Sequence, residues 1–544
     1  MIASGCLRGS ALLRTLGCAV ALVALAACAK IAQAPQERVL RIGMTTEPNS
    51  LSPLFALNDY EQLVDRFAFD VLVTTGADGR TLIPRLATAV PTQHNGGISR
   101  DGLTITYHLR HNVKWQDGAP FTSADVRFSF EAMMNPANNV PNRHGYDLIA
   151  NVRTPDAYTA VFRMKRPYAP ATTNLFGDET PNAILPRHLL ARYSDLNHVT
   201  FNQMPVGTGP FKVVRWDRGT SIELSANDAY YLGKPHVRRI SVRFIPDEAT
   251  MLNQLRTHEL DLFTQASVNA FGQIRSLPGI KYSLVNTHGA SNVLINMSRP
   301  ALRDVRVRRA IDYAIDKAGI VERFTFGAGT VATEDIPAFM WAYDSQLRPT
   351  PHDPARARAL LREAGWLPGR NGLVFKDGRP LRLEFAYAQN NVTYRLIAVE
   401  IQSELRAVGI DAEVKGYNGA MMFAGLAAGG IYQSGNFDLA WYTMTLGIDP
   451  DSSGRFMCGA IPPNGQNYSR YCNAAMDAAQ TAGLTDYDRG GRRRAYAASQ
   501  RLLARDVPIA FVYWPKDVEA YDPRLRGFAP NPVTPSWNAQ DWLF

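Results

Sequence analysis

The chain has 544 residues, of which 46% are hydrophobic and 20% are charged, and its formal net charge is +9 at pH 7. Such a length excludes a single compact core and predicts three or four folding units, while the composition is that of an ordinary globular protein. The basic residues are scattered and do not alternate with aromatic residues, so the charge does not indicate a nucleic-acid-binding surface. The densest basic cluster begins a predicted helix and is interpreted as a solvated helix face: Arg489, Arg492, Arg493 and Arg494.

The N-terminus carries the features of an export signal. Arg8 and Arg14 precede an uncharged segment from Thr15 to Ala29. This segment is shorter than the roughly 20 residues that span a bilayer, and it is typical of a secretory signal peptide. It ends in Leu25-Ala26-Ala27-Cys28, which resembles the bacterial lipobox, in which the cysteine becomes the lipidated first residue. We therefore expect Cys28 to anchor the protein to a membrane outside the cytoplasm, in the periplasm or at the cell surface; the alternative is an ordinary cleavage site with an incidental cysteine.

The remaining cysteines form an isolated pair. Of five cysteines, Cys6, Cys18 and Cys28 belong to the expected signal and anchor, which leaves Cys458 and Cys472. In an oxidising compartment we expect these two to form a disulfide. Closing a loop of this length stabilises a fold by roughly 3 kcal/mol in the chain-entropy view.

The first half of the mature chain is predicted to begin with a strand at Val39–Met44 and a helix from about Tyr60 to Leu72. Apolar and polar residues alternate from Leu103 to Arg110, which is typical of a half-buried strand. Asp117-Gly118 then predicts a turn, and Thr122 or Ser123 is expected to cap a helix.

The second half alternates strands with helices, which favours an α/β fold. The glycine-containing segment Val206–Phe211 leads into a strand and lacks the spacing of a phosphate-binding loop. Further strands are expected at 221–224, 240–245, 292–296, 381–386, 410–415, 437–442 and 509–513, and helices at 304–320, 353–366, 396–408 and 488–504.

The segment from Leu103 to Glu131 resembles the signature of the family 5 solute-binding proteins, the dipeptide- and oligopeptide-binding lipoproteins that serve ABC importers. Ser50–Pro53, Gly207–Phe211 and the predicted helix 304–320 also resemble motifs of that family, and the resemblance runs in order from about residue 39 to about residue 530. The signature positions that match are His108, Leu109, Arg110, Lys114, Trp115, Asp117, Gly118, Pro120, Phe121, Thr122, Asp125, Val126, Phe128 and Ser129. We interpret these residues as architectural rather than as ligand contacts.

The resemblance implies an α/β, two-lobed, periplasmic-binding-protein-like fold of the large type II class, with an extra domain inserted in the first lobe. Two such lobes enclose a ligand when they close about a hinge. The expected division is 1–27 signal peptide, 28–38 tether, 39–76 first lobe, 77–204 extra domain, 205–300 first lobe, 301–508 second lobe and 509–544 first lobe.

The implied function is that of a monomeric substrate-binding subunit, which captures di- or oligopeptides outside the cytoplasmic membrane and delivers them to ABC permease subunits. The alternative is the same fold with a non-peptide solute such as an oligosaccharide, an opine or a metal chelate. We do not expect an enzyme, because G-x-S-x-G, H-E-x-x-H and phosphate-binding-loop motifs are absent from the sequence. No metal site or cofactor is expected: His258-Glu259 lacks the second histidine of a zinc site, and the calcium-like run from Asp449 lacks its final glutamate at Ala460.

Ligand-binding residues are expected on loops at strand ends. In peptide-binding relatives a strand-end Trp is followed three residues later by an Asp that pairs with the ligand's α-ammonium; here Trp441 matches but position 444 is Met. Either Asp449 substitutes for that carboxylate or the ligand lacks an ammonium, and turn capping is an alternative role for Asp449. The candidate contacts, each with a structural alternative as core, cap or turn residue, are Trp441, Tyr442, Thr443, Met444 and Asp449, then Asn390 and Asn391, then Phe55 and Asn58.

Overall fold

The computed structural model describes residues 38–56, 59–178 and 183–544. The predicted signal peptide, the candidate lipidation site Cys28 and the candidate contact Asn58 lie outside the described residues. Within the described ranges, no helix has both the length and the apolar character that crossing a membrane requires.

The described strands are, in chain order, β1 (Val39–Met44), β2 (Val73–Thr75), β3 (Leu82–Pro84), β4 (Thr104–His108), β5 (Ile149–Asp156), β6 (Thr159–Met164), β7 (Phe211–Asp217), β8 (Ser221–Ala226), β9 (Arg239–Phe244), β10 (Leu262–Ala266), β11 (Lys281–Asn286), β12 (Gly289–Ile295), β13 (Gly329–Val331), β14 (Leu367–Pro368), β15 (Val374–Lys376), β16 (Arg379–Pro380), β17 (Arg382–Ala388), β18 (Asp411–Tyr417), β19 (Leu439–Thr445) and β20 (Ile509–Tyr521). The described helices of seven residues or more are Asp59–Ala68, Ser123–Met134, Glu248–Arg256, Val268–Ile274, Val305–Ala314, Lys317–Thr325, Pro354–Glu363, Val392–Ala407, Ala474–Thr485 and Arg489–Asp506.

One mixed sheet runs through both lobes. Its strand order is β18-β17-β19-β12-β20-β10-β1-β9-β8-β7, and β11 and β13 also pair with β20. The first part of β20 pairs with β12 and β13, and its second part pairs with β10 and β11. β20 is therefore shared by the two lobes, and helices packed against both halves complete the predicted α/β, two-lobed architecture.

The lobe boundaries differ from those expected. β12 pairs with β19 along its whole length, and its Val293 and Ile295 lie in the core of the second lobe, so that lobe begins near residue 289 rather than 301. Ala510 and Val512 lie in the same core, so the chain returns to the first lobe near Pro515 rather than at 509. The two lobes are thus joined by two crossings, one between β11 and β12 and one within β20.

The expected extra domain, residues 77–204, includes the sheet β4-β6-β5, and its buried residues belong to one core with those of the first lobe. The signature segment connects this domain to the rest of the first lobe through Gln116, which lies between two matched positions: its side chain donates to the Phe211 carbonyl (2.7 Å) and accepts from the Gly207 N–H (3.0 Å). Thr122 and Asp125 form a capping box at the start of helix Ser123–Met134. These contacts support the architectural interpretation of the signature.

The predicted single helix 304–320 is wrong. The chain forms two helices, Val305–Ala314 and Lys317–Thr325, because Ile315 adopts an extended conformation and Asp316 caps the second helix by accepting from the Gly319 N–H (2.9 Å). The apolar periodicity continues across this break, which concealed it. Cys458 and Cys472 form the predicted disulfide.

Candidate functional site

A cavity of about 230 Å³ lies between the lobes where β20 and the β11–β12 connection cross. We call it the hinge cavity. The first lobe supplies Gln62, Asp178, Gln265, Asp517, Glu519 and the segment Asn531–Pro535, and the second lobe side supplies Thr287, His288, Gly289, Thr443 and Thr445–Ile448.

Carboxylates line the first-lobe wall of the hinge cavity. The Asp178 carboxylate accepts from the Thr75 N–H (2.6 Å) and lies 3.2 Å from the Arg66 guanidinium. Glu519 is 1% exposed, its Oε1 accepts from the Gln265 N–H (3.3 Å), and its Oε2 has no hydrogen-bond partner among the described residues. Burial raises the pKa of Glu519 well above its usual range although hydrogen bonding with the Thr264 hydroxyl opposes the rise, and the nearby Asp517 raises it further. Asp517, and Glu519 once it loses its proton, give this wall the negative charge that favours a cationic group on a bound molecule.

The crossing between β11 and β12 carries a neutral imidazole, that of His288. His288 is 5% exposed and packs against Phe339, with ring centroids 5.1 Å apart. Burial lowers the pKa of His288 to about 4, so the ring is uncharged at neutral pH. The backbone of Gly79 and of Pro532 lies next to the ring and opposes this lowering of the pKa, while the Nε2 atom makes no hydrogen bond among the described residues.

A second cavity, of about 360 Å³, opens between the extra domain and the second lobe. We call it the arginine cavity, because Arg80 of the extra domain and Arg489 and Arg492 of the second lobe line it. The two latter guanidinium carbons lie 5.1 and 5.2 Å from the Trp341 ring centroid. Ile448 lines both cavities, so the cleft between the lobes has an acidic end and a basic end.

The lobes touch at the mouth of this cleft. The Tyr487 hydroxyl of the second lobe donates to the Gly102 carbonyl (3.1 Å) and accepts from the Tyr168 N–H (3.2 Å), both in the extra domain. The Ala169 N–H donates to the Leu484 carbonyl (2.7 Å) across the same boundary. The structure therefore has the lobes closed over the cleft.

Comparison with known proteins identifies the family to which the chain belongs. The model of the bacterial extracellular solute-binding proteins, family 5 (middle region), matches residues 81–460. The chain belongs to this family. It is 26% identical over 511 residues to the oligopeptide-binding protein AppA of Bacillus subtilis, which covers 92% of this chain and 91% of that protein. It is 27% identical over 442 residues to the glutathione-binding protein GsiB of Salmonella typhi, which covers 79% of this chain and 81% of that protein.

Among solved structures, NikZ from Campylobacter jejuni in complex with Ni(L-His) superposes with a TM-score of 0.77 at 25% identity, over 94% of this chain and 100% of that chain. The chain is thus a family 5 solute-binding protein of ABC importers and not an enzyme. The family confirms the predicted extracytoplasmic role, but its members bind different solutes.

Among the predicted contacts of this binding protein, those on β19 divide by strand alternation. Thr443 lines the hinge cavity, and its hydroxyl lies 2.9 Å from the Ser291 hydroxyl and 3.2 Å from that of Tyr394. Tyr442 and Met444 point to the opposite face and belong to a hydrophobic core. Position 444 is therefore a core position here and does not face the hinge cavity.

Trp441 shares the Thr443 face but is 1% exposed and belongs to the core of the second lobe. Its ring lies 5.9 Å from that of Tyr394, and its indole Nε1 has no hydrogen-bond partner among the described residues. Trp441 does not line the hinge cavity. It contacts Tyr394, which in turn contacts Thr443.

Asp449 does not supply a free carboxylate. The Arg492 Nη2 lies 2.6 Å from both of its oxygens, and the Tyr496 hydroxyl donates to it as well (3.3 Å). Burial raises the pKa of Asp449 and the facing Arg492 opposes that rise, while the Asp449 carboxylate raises the pKa of Arg492 against burial; the two 2.6 Å contacts are those of a buried ion pair. The structure therefore argues against Asp449 as the partner of a ligand ammonium.

The other predicted contacts lie away from the inter-lobe cleft. Asn391 caps helix Val392–Ala407 by accepting from the Tyr394 N–H (3.1 Å), a role that differs from the solvated turn expected as its alternative, and Asn390 is exposed next to it. Phe55 packs against the first-lobe core and lines a separate cavity beside Asn49 and Arg218.

The sequence analysis missed Glu519, His288 and Asp178. Glu519 did carry a signal, since it lies between Val518 and Ala520, both fully buried, and an ionisable residue in a buried strand calls for a partner.

Proposed function

We propose that this protein captures peptides outside the cytoplasmic membrane and delivers them to the permease of an ABC importer. The observation that carries the proposal is the polarity of the closed cleft, with Glu519 and Asp178 at one end and Arg80 and Arg489 at the other. A short peptide is a zwitterion whose ammonium and carboxylate match these two ends.

Size and lining support the same solute class. The two cavities together fall within the range of about 300–1,000 Å³ that is typical of small-molecule sites. The hydroxyls of Thr443 and Thr445 offer donors and acceptors to a peptide backbone, while Leu446 and Ile448 offer apolar surface to side chains. The relatives named for oligopeptides and glutathione agree with this reading.

A metal chelate is the second candidate, because one observation favours it. The neutral His288 lines the hinge cavity, and imidazole nitrogen is a common metal ligand. The similar protein NikZ was solved with Ni(L-His).

Thermal unfolding of the protein from residue 29 onward tests the two candidates. Free di- to octapeptides are expected to raise the unfolding midpoint, with about 2.7 kcal/mol of stabilisation at a hundredfold excess over Kd. The matched comparisons are the same peptides with acetylated amines, neutral oligosaccharides, and nickel with and without histidine. Stabilisation by the nickel chelate alone would replace the peptide proposal with the second candidate, and stabilisation by oligosaccharides alone would exclude both.

We further propose that Cys28 is lipidated and tethers a monomeric binding protein to the membrane. The support is the lipobox-like sequence before Cys28 and the family's extracytoplasmic role. Cys28→Ser is expected to release the protein from the membrane fraction, and its retention there would contradict lipid anchoring.

A further inference from the structure

We propose that Glu519 binds a cationic group of the solute, in the first instance the α-ammonium of a peptide. The inference depends on the proposed function in one respect: the solute must bind in the inter-lobe cleft. Glu519 lies on the second part of β20, the strand that both lobes share, and its side chain lines the hinge cavity. It would thus supply the carboxylate that the β19 strand end lacks at Met444.

Packing does not explain a glutamate at this position. The flanking Val518 and Ala520 are fully buried on the opposite face of the strand, and the polar groups that β10 offers to Glu519, the Gln265 N–H and the Thr264 hydroxyl, do not require a charged residue. Instead, Glu519 is buried with Oε2 unpaired among the described residues. A buried polar atom without a partner costs free energy, so its persistence beside a cavity indicates a partner that is supplied by a ligand.

The groups around Glu519 favour a cation as that partner. Asp517 lies on the same strand, and Asp178 faces the cavity from the segment after helix Ala171–Asn174, with its own cation Arg66. His288, from the β11–β12 connection, is neutral, and β10 contributes the Gln265 N–H and the Thr264 hydroxyl. Among the described residues, no lysine or arginine forms an ion pair with Glu519.

Binding of a cation also requires loss of a proton. Without a bound solute the raised pKa favours a protonated carboxyl, so an ammonium that binds the carboxylate displaces that proton. The affinity for an amine should therefore rise with pH through the raised pKa of Glu519. A carboxyl that stays protonated and donates to a ligand carbonyl would release no proton on binding.

The experiment compares the wild-type protein with Glu519→Gln, which keeps the shape and removes the charge. The matched control is Glu334→Gln, because Glu334 is also buried with Oε2 unpaired and its pKa well above the usual range, yet it lines neither inter-lobe cavity. The probes are trialanine, N-acetyl-trialanine and the non-peptide diamine cadaverine. Calorimetry in buffers of different ionisation enthalpy reports the affinity and the protons released, and thermal unfolding reports the ligand-free stability.

We expect Glu519→Gln to weaken trialanine binding at least about tenfold and to abolish proton release, while Glu334→Gln leaves both unchanged. We also expect the ligand-free Glu519→Gln protein to unfold at the same or a higher temperature, because an uncompensated carboxyl is removed. Unchanged trialanine affinity in Glu519→Gln, or equal wild-type affinity for N-acetyl-trialanine, would overturn the inference.

Failure of the proposed function gives a different pattern. If wild type binds cadaverine but no peptide, and binding is lost in Glu519→Gln, the peptide proposal fails and the Glu519 assignment stands. If none of the probes binds, the unfolding midpoints of the ligand-free proteins decide. A lower midpoint for Glu519→Gln than for wild type would show that the residue is structural and would overturn the inference. A higher midpoint would support a carboxyl that is kept for a ligand.

Discussion

At the scale of single residues, this protein contains two kinds of buried acidic side chain. Asp449 and Arg492 neutralise each other, whereas Glu519 is buried without a cation among the described residues. The first kind is structural and the second is available to a solute. Asp449 and Glu519 are both acidic residues that line an inter-lobe cavity, so residue type does not distinguish them. The presence or absence of a paired guanidinium does.

Arg492→Met is expected to destabilise the fold by about 3–5 kcal/mol, because it leaves the Asp449 carboxylate buried without its cation. The double substitution Asp449→Asn with Arg492→Met should recover much of that loss, since no unpaired charge remains. Urea denaturation measures both changes. A single variant as stable as wild type would mean that the ion pair contributes little.

At the scale of elements, the glycine motif Gly207–Phe211 allows the chain to pack closely against the end of helix Asp59–Ala68. Gly209 donates its N–H to the Ala68 carbonyl (2.8 Å) at the end of helix Asp59–Ala68. A Cβ on Gly207 would lie 1.8 Å from the same carbonyl oxygen, and one on Gly209 would lie 2.6 Å from the Ala68 carbonyl carbon. The motif therefore fixes the position of this helix, which carries Gln62 to the hinge cavity.

Gly207→Ala is expected to lower stability by about 3 kcal/mol or more, since the clash is with backbone and cannot be relieved by a rotamer change. Gly425→Ala is the control, because a Cβ there meets nothing within 4 Å. Denaturation midpoints compare the two variants. Equal midpoints would show that the Ala68 helix end can move to accommodate a methyl group.

Most elements could be predicted from local pattern, because alternation and caps are local signals. The break at Ile315 and Asp316 could not, since the apolar periodicity continues through it. The strand β20 was predicted to end at Tyr513, yet it runs to Tyr521 because it exchanges one set of partner strands for another around Pro515. The site depends on that long-range pairing, so Glu519 and His288 were missed, while Thr443 was found through the strand-end motif.

At the scale of the whole molecule, a few polar contacts between the extra domain and the second lobe accompany closure. Tyr487→Phe keeps the ring but removes the hydroxyl that contacts Gly102 and Tyr168. Losing a hydrogen bond of about 0.5–1.5 kcal/mol should shift the ligand-free protein toward open states and weaken solute binding by about 2- to 10-fold. Small-angle scattering should report a larger radius of gyration than for wild type, and an unchanged radius with unchanged affinity would contradict this role.

His144 makes closure depend on pH. Its Nε2 lies 3.6 Å from the Asp451 carboxylate of the second lobe, and this contact raises the pKa of the half-exposed His144 although partial desolvation opposes the rise. Asp147 raises this pKa further, and Arg455 lowers it. Burial opposes a low pKa for Asp451, but its hydrogen bonds, first that from His144, hold the pKa below the usual value of 3.8.

The direction of the pH dependence follows from the raised pKa of His144 and the lowered pKa of Asp451. The attraction is complete below the ordinary histidine pKa of about 6.5 and is lost as the pH rises through the raised pKa of His144. At the acidic limit it needs an ionised Asp451, so closure should be favoured most between about pH 4 and about pH 6.5. Scattering on the ligand-free protein at about pH 5.5 and about pH 8.5 should show expansion at the higher pH, and His144→Gln should remove most of that difference because glutamine does not titrate. An equal expansion in His144→Gln would assign the pH dependence to other groups at the lobe boundary.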